Sequence, residues 1–279
     1  MAESAAQTQY RDEFIAGFEL NQSLLRSAVT TEATIKGNTA VFLVADSNGA
    51  TAVTRGVNGL IPARADNLTQ NSCTLAEWHD LVKKTGFNIF QSQGDQRRIM
   101  QMTSMGVINR KIDSSILTEL NTGTNDTGTA ATGSLALIMK ARAILGNAEV
   151  PVEEEDNMFC VGSPALEAYL MQVSAFTSAD FVEMRPFSGP VRRFRRWAGC
   201  NWIFHPNVPG VGTSAEKCFM FHRNAIGHAV DRNGIQSPVG YDEEQDYSYA
   251  RCTVYMGSKL LQNSGVVVIN HDGSAYVAS

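Results

Sequence analysis

The chain lacks the marks of most enzyme classes. No serine sits in a G-x-S-x-G elbow, no histidine pair reads H-E-x-x-H, and no two cysteines stand as C-x-x-C. It has no run of about 18 apolar residues, so no membrane-spanning helix is expected. Residues 1–13 are polar, with Asp12 and Glu13 following Arg11, and do not read as a secretion signal. The five cysteines (Cys73, Cys160, Cys200, Cys218, Cys252) are odd in number and far apart, which predicts reduced core residues of a cytosolic product rather than a disulfide framework. The glycosylation-type triplets at Asn21, Asn67 and Asn125 then carry no meaning. Basic excess is also missing: net charge is −5, whereas a protein that grips nucleic acid is more often basic.

What is present suffices for a core. In 279 residues, 43% are hydrophobic and 18% charged, which fits one large or two medium domains and excludes global disorder. Helical spacing of Phe14, Phe18, Leu24 and Leu25 predicts an N-terminal arm with a helix within 12–28. Residues 41–45 read as a strand, Ser47-Asn48-Gly49 as a turn, and Ala50–Arg55 as the returning strand of a hairpin. Gly56, Gly59, Pro62 and a polar run to Cys73 follow. This excursion has too few large apolar residues to bury both faces, and so long a loop is usually functional or covered by a partner.

Thr74–Phe90 reads as a short amphipathic start followed by extended chain. A rod-like helix is predicted from Asp95 to Thr122, where Gly106 is the one glycine. Its stripe is Met105, Ile108, Ile112, Ile116 and Leu120, with Ile99 and Met102 in register, and roughly 28 residues give about 40 Å. Gly123–Gly133 reads as a hinge loop. An α/β region follows: a helix near Ser134–Leu145, a strand at Met158–Gly162, a helix capped by Ser163 with Pro164 in its first turn, and strands at Trp197–His205 and Lys217–His222. Tyr249–Met256 alternates as a strand, and Val266–Ile269 reads as a buried one.

The candidate motifs favour plain readings. Gly210-x-Gly212-x-x-Ala215 matches a dinucleotide fingerprint, but a strand rather than a helix follows, so a flexible loop is preferred. The run Arg192-Arg193-Phe194-Arg195-Arg196-Trp197 suits single-stranded nucleic acid or a protein interface. In an acidic chain, salt bridges between subunits to Glu153, Glu154, Glu155 and Asp156, or to Asp242-Glu243-Glu244, are favoured. The spacing of His79, His205, His222, His228 and His271 suits no metal. Met100, Met102 and Met105 read as adaptable packing.

The order of elements, with NQSLLRSAVTTEATIKGNTAVFLVADSNGATAVTRGVNGLIPARADNLTQN (21–71), QRRIMQMTSMGVINRKID (96–113) and KCFMFHRNAIGHAVDRNGI (217–235), resembles the major capsid proteins of tailed bacteriophages. The resemblance implies the α+β, Hong-Kong-97-like capsid fold: an N-terminal arm (1–40), an extended loop (41–73), a peripheral domain with a spine helix (74–128 and 236–279) and an axial domain (129–235). It implies a shell of pentamers and hexamers around double-stranded DNA, with no catalysis, cofactor, metal or membrane. Its expected partners are other copies of the chain, a portal, a decoration protein and weak non-specific DNA contact. About forty residues precede the loop, so a separate scaffolding protein is expected. Some members crosslink through a loop lysine; no lysine lies between Lys36 and Lys83, so a non-covalent grip is expected. Subunit contacts are expected at Arg55, Leu60, Ile61 and Arg64 of the loop, and at Arg192, Arg193, Arg195 and Arg196 against Glu153, Glu154 and Glu155. The location implied is the virion, assembled in the bacterial cytoplasm. An encapsulin-like cargo compartment on the same fold, a cytosolic α/β enzyme and a nucleic-acid-binding module are the alternatives.

Overall fold

The computed structural model describes residues 22–46, 50–63, 67–91, 96–173 and 195–276. It builds three sheets around one long helix. The first sheet runs in order β1 (Thr34–Lys36), β2 (Thr39–Asp46), β3 (Asn67–Thr74), all antiparallel. The second is centred on β11 (Tyr247–Leu260). On one side β11 pairs with β4 (Ala76–Thr85) from Met256↔Ala76 to Tyr247↔Thr85. On the other it pairs with β10 (Val239–Asp242) and then β9 (Ile226–Val230). The third sheet has the order β12 (Val266–His271), β8 (Glu216–His222), β5 (Met158–Gly162), β7 (Cys200–Phe204), β6 (Arg195–Trp197). Only β5 and β7 pair in parallel there.

A short helix α1 (Gly86–Gln91) leads towards the spine helix α2 (Gln96–Leu120). The 25 residues of α2 give a rod of about 37 Å. Its fully buried line is Met100, Ser104, Ile108, Ile112, Ile116 and Leu120, every fourth residue. A four-residue step overshoots one turn by about 40°, so the buried line winds round the rod. That winding lets one helix serve two sheets. Ile108, Ile112, Ile116, Leu117 and Leu120 share a core with Cys252, Val254 and Met256 of β11 and with Phe159, Phe219, Phe221 and Ile203 of the third sheet.

The opposite face of the third sheet buries Met158, Cys160, Trp202, Cys218 and Met220 under α3 (Leu135–Asn147) and α4 (Pro164–Leu170). Both helices begin as their sequences dictate. Ser134 Oγ accepts the Leu137 N–H, and Ser163 Oγ accepts the Leu166 N–H with Pro164 in the first turn. The strand at Met158–Gly162 is buried at every position, which explains its unbroken apolar run.

Several expectations need correction. Ala50–Arg55 is not a strand; β2 pairs instead with β3, across the intervening loop. β3 (NLTQNSCT) is polar on both faces, so no hydrophobic period marks it. Thr74–Phe90 is the reverse of the expectation: extended first, then helical in α1. Met102 faces solvent, and Met100 takes its place in the core. Gly123–Gly133 is not a free hinge, because it is stitched along β12. Thr127 N–H donates to the Val268 carbonyl (3.0 Å), Val268 N–H to Asn125 (2.8 Å) and Asp272 N–H to Ala131 (3.0 Å). The boundaries 129–235 and 236–279 cut across the sheets, since β9 pairs with β11 and β12 with β8. The predicted helix within 12–28 and the turn at Ser47–Gly49 fall largely outside the described residues; Arg26–Ala28 form a short 3-10 turn. No described helix is long and apolar enough to cross a membrane.

Candidate subunit-interface site

The segment 50–63 is exposed throughout. Its tip is nevertheless shaped. Gly59 N–H donates to the Gly56 carbonyl (2.9 Å), and Gly56 N–H donates to the Leu60 carbonyl (3.0 Å). Gly59 has φ +73°, in the left-handed region that glycine enters without strain. This is a tight turn closed by a glycine bulge, with Val57 and Asn58 at its crest. Val57 is fully exposed at that crest, and Leu60 and Ile61 are 73% and 66% exposed. Val53 on the tip and Leu43 and Leu68 on the outer face of the first sheet extend the apolar surface. The other face of that sheet is closed: Ala40 and Phe42 pack on Ala229, and the Phe42 ring lies where a Cβ on Gly227 would stand, 2.5 Å away. The loop is therefore clamped at its base and apolar at its tip.

Of the expected contact residues, Arg55, Leu60 and Ile61 are exposed on this loop. Arg64, Arg192 and Arg193 lie outside the described residues, and Arg195 is described only as backbone in β6. Arg196 departs from the expectation that its carboxylate belongs to a neighbour. Its Nη2 meets Asp156 of its own chain, and its Nε donates to Asn201 Oδ1 (3.2 Å). The β6–β7 hairpin makes this local: Asn201 also donates to the Glu155 carbonyl (2.7 Å), which draws the acidic loop under β6. Glu153, Glu154, Glu155, Asp156, Asn157 and Arg196 ring an open cleft of about 480 Å³.

Two buried polar clusters lock the body that carries the loop. Asp113 on α2 is fully buried and accepts from Ser23 Oγ (2.5 Å), the Leu24 N–H (3.0 Å), the Leu25 N–H (3.1 Å) and His205 Nε2 (3.3 Å). Burial alone pushes this carboxyl up. The hydrogen bonds from His205, Ser23, Leu24 and Leu25 outweigh it and hold the group below the usual carboxylate range. Glu216, also fully buried, accepts from Ser163 Oγ, His271 Nδ1 (2.8 Å) and the Gly212 N–H (3.1 Å). Sequence spacing could not reveal either cluster, because side-chain donors reach each carboxylate from between 53 and 92 residues away.

Glu216, Cys218 and His271 are the described group whose ligand atoms lie close enough for a metal, within 4.8 Å. The carboxylate already has three donors, and burial pushes the Cys218 thiol up to about 12. Ser163, which opens a helix directly after a strand, is fully buried against Glu216 and not presented as a nucleophile. The Gly210–Ala215 loop leads into β8, as its sequence implies, but it is pinned rather than flexible. Thr213 N–H donates to Gly210 (3.0 Å) and Lys217 N–H to Pro209 (2.9 Å).

A family model described as phage capsid protein matches residues 2–273. No curated protein matches the chain by sequence. In structure the chain is similar to that of Mycobacterium phage Che8, with TM-score 0.73 and 17% identity over 98% of this chain and 99% of that one. It is also similar to the capsid of the cyanophage P-SCSP1u (TM-score 0.72, 12% identity, 96% and 93% covered). The capsid of Ralstonia phage GP4 is a further likeness (TM-score 0.70, 14% identity, 96% and 95% covered). At these identities the likeness is one of fold.

Proposed function

The chain belongs to the phage capsid protein family, as a major capsid protein of the virion with the mixed α+β, Hong-Kong-97-like fold, and on that premise we propose how it closes its shell. The carrying observation is the loop tip: Val53, Val57, Leu60 and Ile61 are exposed on a turn that is already formed and has no core of its own. Burying each such side chain fully is worth about 1.5–3 kcal/mol, and the described residues leave these side chains mostly exposed. The partner is another copy. Arg55, Leu60, Ile61 and Arg64 make the loop side of the contact. The acidic cleft of Glu153, Glu154 and Glu155 takes Arg192, Arg193 or Arg195 of a neighbour, while Arg196 holds the cleft's shape from within.

In this reading α2 with β4, β9, β10 and β11 forms the peripheral unit, and the third sheet with α3 and α4 forms the axial unit. The shell consists of pentamers and hexamers around double-stranded DNA. A separate scaffolding protein, a portal and a decoration protein are its partners, assembly takes place in the host cytoplasm, and the subunit carries out no catalysis. Closed symmetry multiplies modest contacts into a stable particle.

The test is direct. The full chain, expressed with its scaffolding partner, should sediment as closed particles and image as such by negative stain. A preparation that stays monomeric at every concentration overturns the reading. Reversing Arg192 and Arg195 to Glu should cut particle yield, and normal particles from that variant would refute the salt-bridge assignment alone.

A further inference from the structure

Ala50–Arg55 reads as a strand, with alternating small and β-branched residues in Ala50-Thr51-Ala52-Val53-Thr54-Arg55. Yet every residue of it is exposed, and among the described residues it has no backbone hydrogen bond to any other segment. Its expected hairpin partner, β2, is taken by β3. A segment with strand propensity and no sheet is unfinished in the lone chain. The same structure carries an unfinished sheet. β4 is ten residues long and pairs only with β11, and no described strand lies on its outer side. A long, exposed edge of this kind is a template for strand addition.

We propose that Ala50–Arg55 of one copy adds as a strand to the free edge of β4 in a second copy. This rests on the shell reading above and supplies the hydrogen-bonding mode of the loop contact. Length and charge single out β4 among the free edges. β1 and β6 have three residues and β10 four, too short for a six-residue addition. β3 has eight but carries no charge. Within 50–63 the one charged side chain is Arg55, and β4 carries Glu77 and Asp80 in its first half. The second half carries Lys83 and Lys84, which blunt that end and repel Arg55. The added strand therefore lies along Ala76–Val82. Its backbone amides give affinity, and the Arg55–acid pairing sets its position along the edge.

The test compares amide hydrogen exchange in particles and in unassembled subunits, with Ala52→Pro and Ala52→Ser as variants. Strand addition predicts that amides of 50–55 and 76–82 exchange about a hundredfold slower in particles. Ala52→Pro removes one amide donor and should lower particle yield about tenfold or more, without changing subunit melting. Ala52→Ser keeps the amide and should assemble. With Arg55 opposite Glu77 in an antiparallel register, Thr51 faces Leu81, so a Thr51→Cys, Leu81→Cys double variant should give intersubunit disulfides above the background of either single variant. Wild-type particles with fast-exchanging 50–55 amides, or full yield from Ala52→Pro, overturn the pairing and leave the shell reading standing. Failure of the unsubstituted chain to form particles overturns both.

Discussion

Truncating the loop tip separates assembly from folding. Leu60 and Ile61 are 73% and 66% exposed, so in the free subunit about two-thirds of their burial is still to be gained. Cutting either to alanine removes about 2 kcal/mol of full-burial energy, of which about 1.5 kcal/mol belongs to the contact with a neighbour. The double variant Leu60→Ala, Ile61→Ala therefore loses about 3 kcal/mol per loop. Each subunit in a closed shell contributes one loop. At about 1.4 kcal/mol per decade, the threshold concentration for assembly should rise roughly a hundredfold. Light scattering across a concentration series reads that threshold. Denaturant unfolding of the unassembled subunit should shift by less than about 0.5 kcal/mol, because both side chains are mostly exposed in the subunit. A threshold unchanged within about threefold would refute the reasoning. So would a subunit destabilised by more than about 1 kcal/mol, since the tip would then be packing at home.

Further outcomes follow from the body. Asp113→Ala leaves the Leu24 and Leu25 amides and Ser23 without their buried acceptor and should cost about 3 kcal/mol in denaturant unfolding. His228 is fully buried on Ser258 (2.9 Å); burial first, and then Arg26, against an opposing pull from Asp113, bring its pKa down to about 4. A depressed histidine favours folding above its unfolded value of 6.5. That stability should drain as pH falls from about 6.5 to 4, by about 3 kcal/mol, and His228→Gln should flatten this part of the pH curve. Asp113 adds a second loss, as pH falls through its own lowered value. Gly227→Ala drives a methyl into the Phe42 ring and should cost about 1–3 kcal/mol, read by calorimetry. Arg196→Ala, with both partners of its ion pair mostly exposed, should move subunit stability by less than about 1 kcal/mol.

What the sequence made legible follows from where residues spend their side chains. The spine helix, the strand at Met158–Gly162 and the Ser163–Pro164 helix start were readable because apolar period and cap chemistry are local. β3 and β4 were not. Asn67–Thr74 is polar on both faces, and in Ala76–Thr85 the half-buried positions (Asp80, Val82, Lys84) are no more apolar than the exposed ones, so neither carries a hydrophobic alternation. What makes them strands is pairing with β2 and β11, the latter more than 160 positions along the chain. Ala50–Arg55 has the local strand signal, but the register from Thr39↔Thr74 to Asp46↔Asn67 takes the partner away. At the candidate site the exposed apolar tip was legible as a deficit of core. The Asp113 and Glu216 clusters were not, because a buried carboxylate is recognised by its donors, and these come from distant segments.

The placement of rigidity argues for where a shell subunit of this kind must bend. One sequence that meets different neighbours needs some freedom, and the arm, the Gly123–Gly133 segment and the loop are the places a sequence suggests. Among the described residues, the base of the arm and the Gly123–Gly133 segment are closed off. Residues 23–25 converge on Asp113, with Leu25, Ala28 and Val29 buried in the core that α2 shares with two sheets. Gly123–Gly133 runs bonded along β12 at Thr127, Val268, Ala131 and Asp272. Moving either would unmake buried hydrogen bonds at roughly 1–3 kcal/mol for each group left unsatisfied. Among the described residues the stretch 50–63 has no such bonds beyond its own tip turn, and below it the sheet is held to the body at Phe42 and Gly227. Of the described parts of these three segments, 50–63 is therefore the one whose adaptation to unlike neighbours costs no buried hydrogen bond. Displacing 50–63 breaks no backbone hydrogen bond to the rest of the subunit among the described residues, and its tip turn is held by two hydrogen bonds of its own.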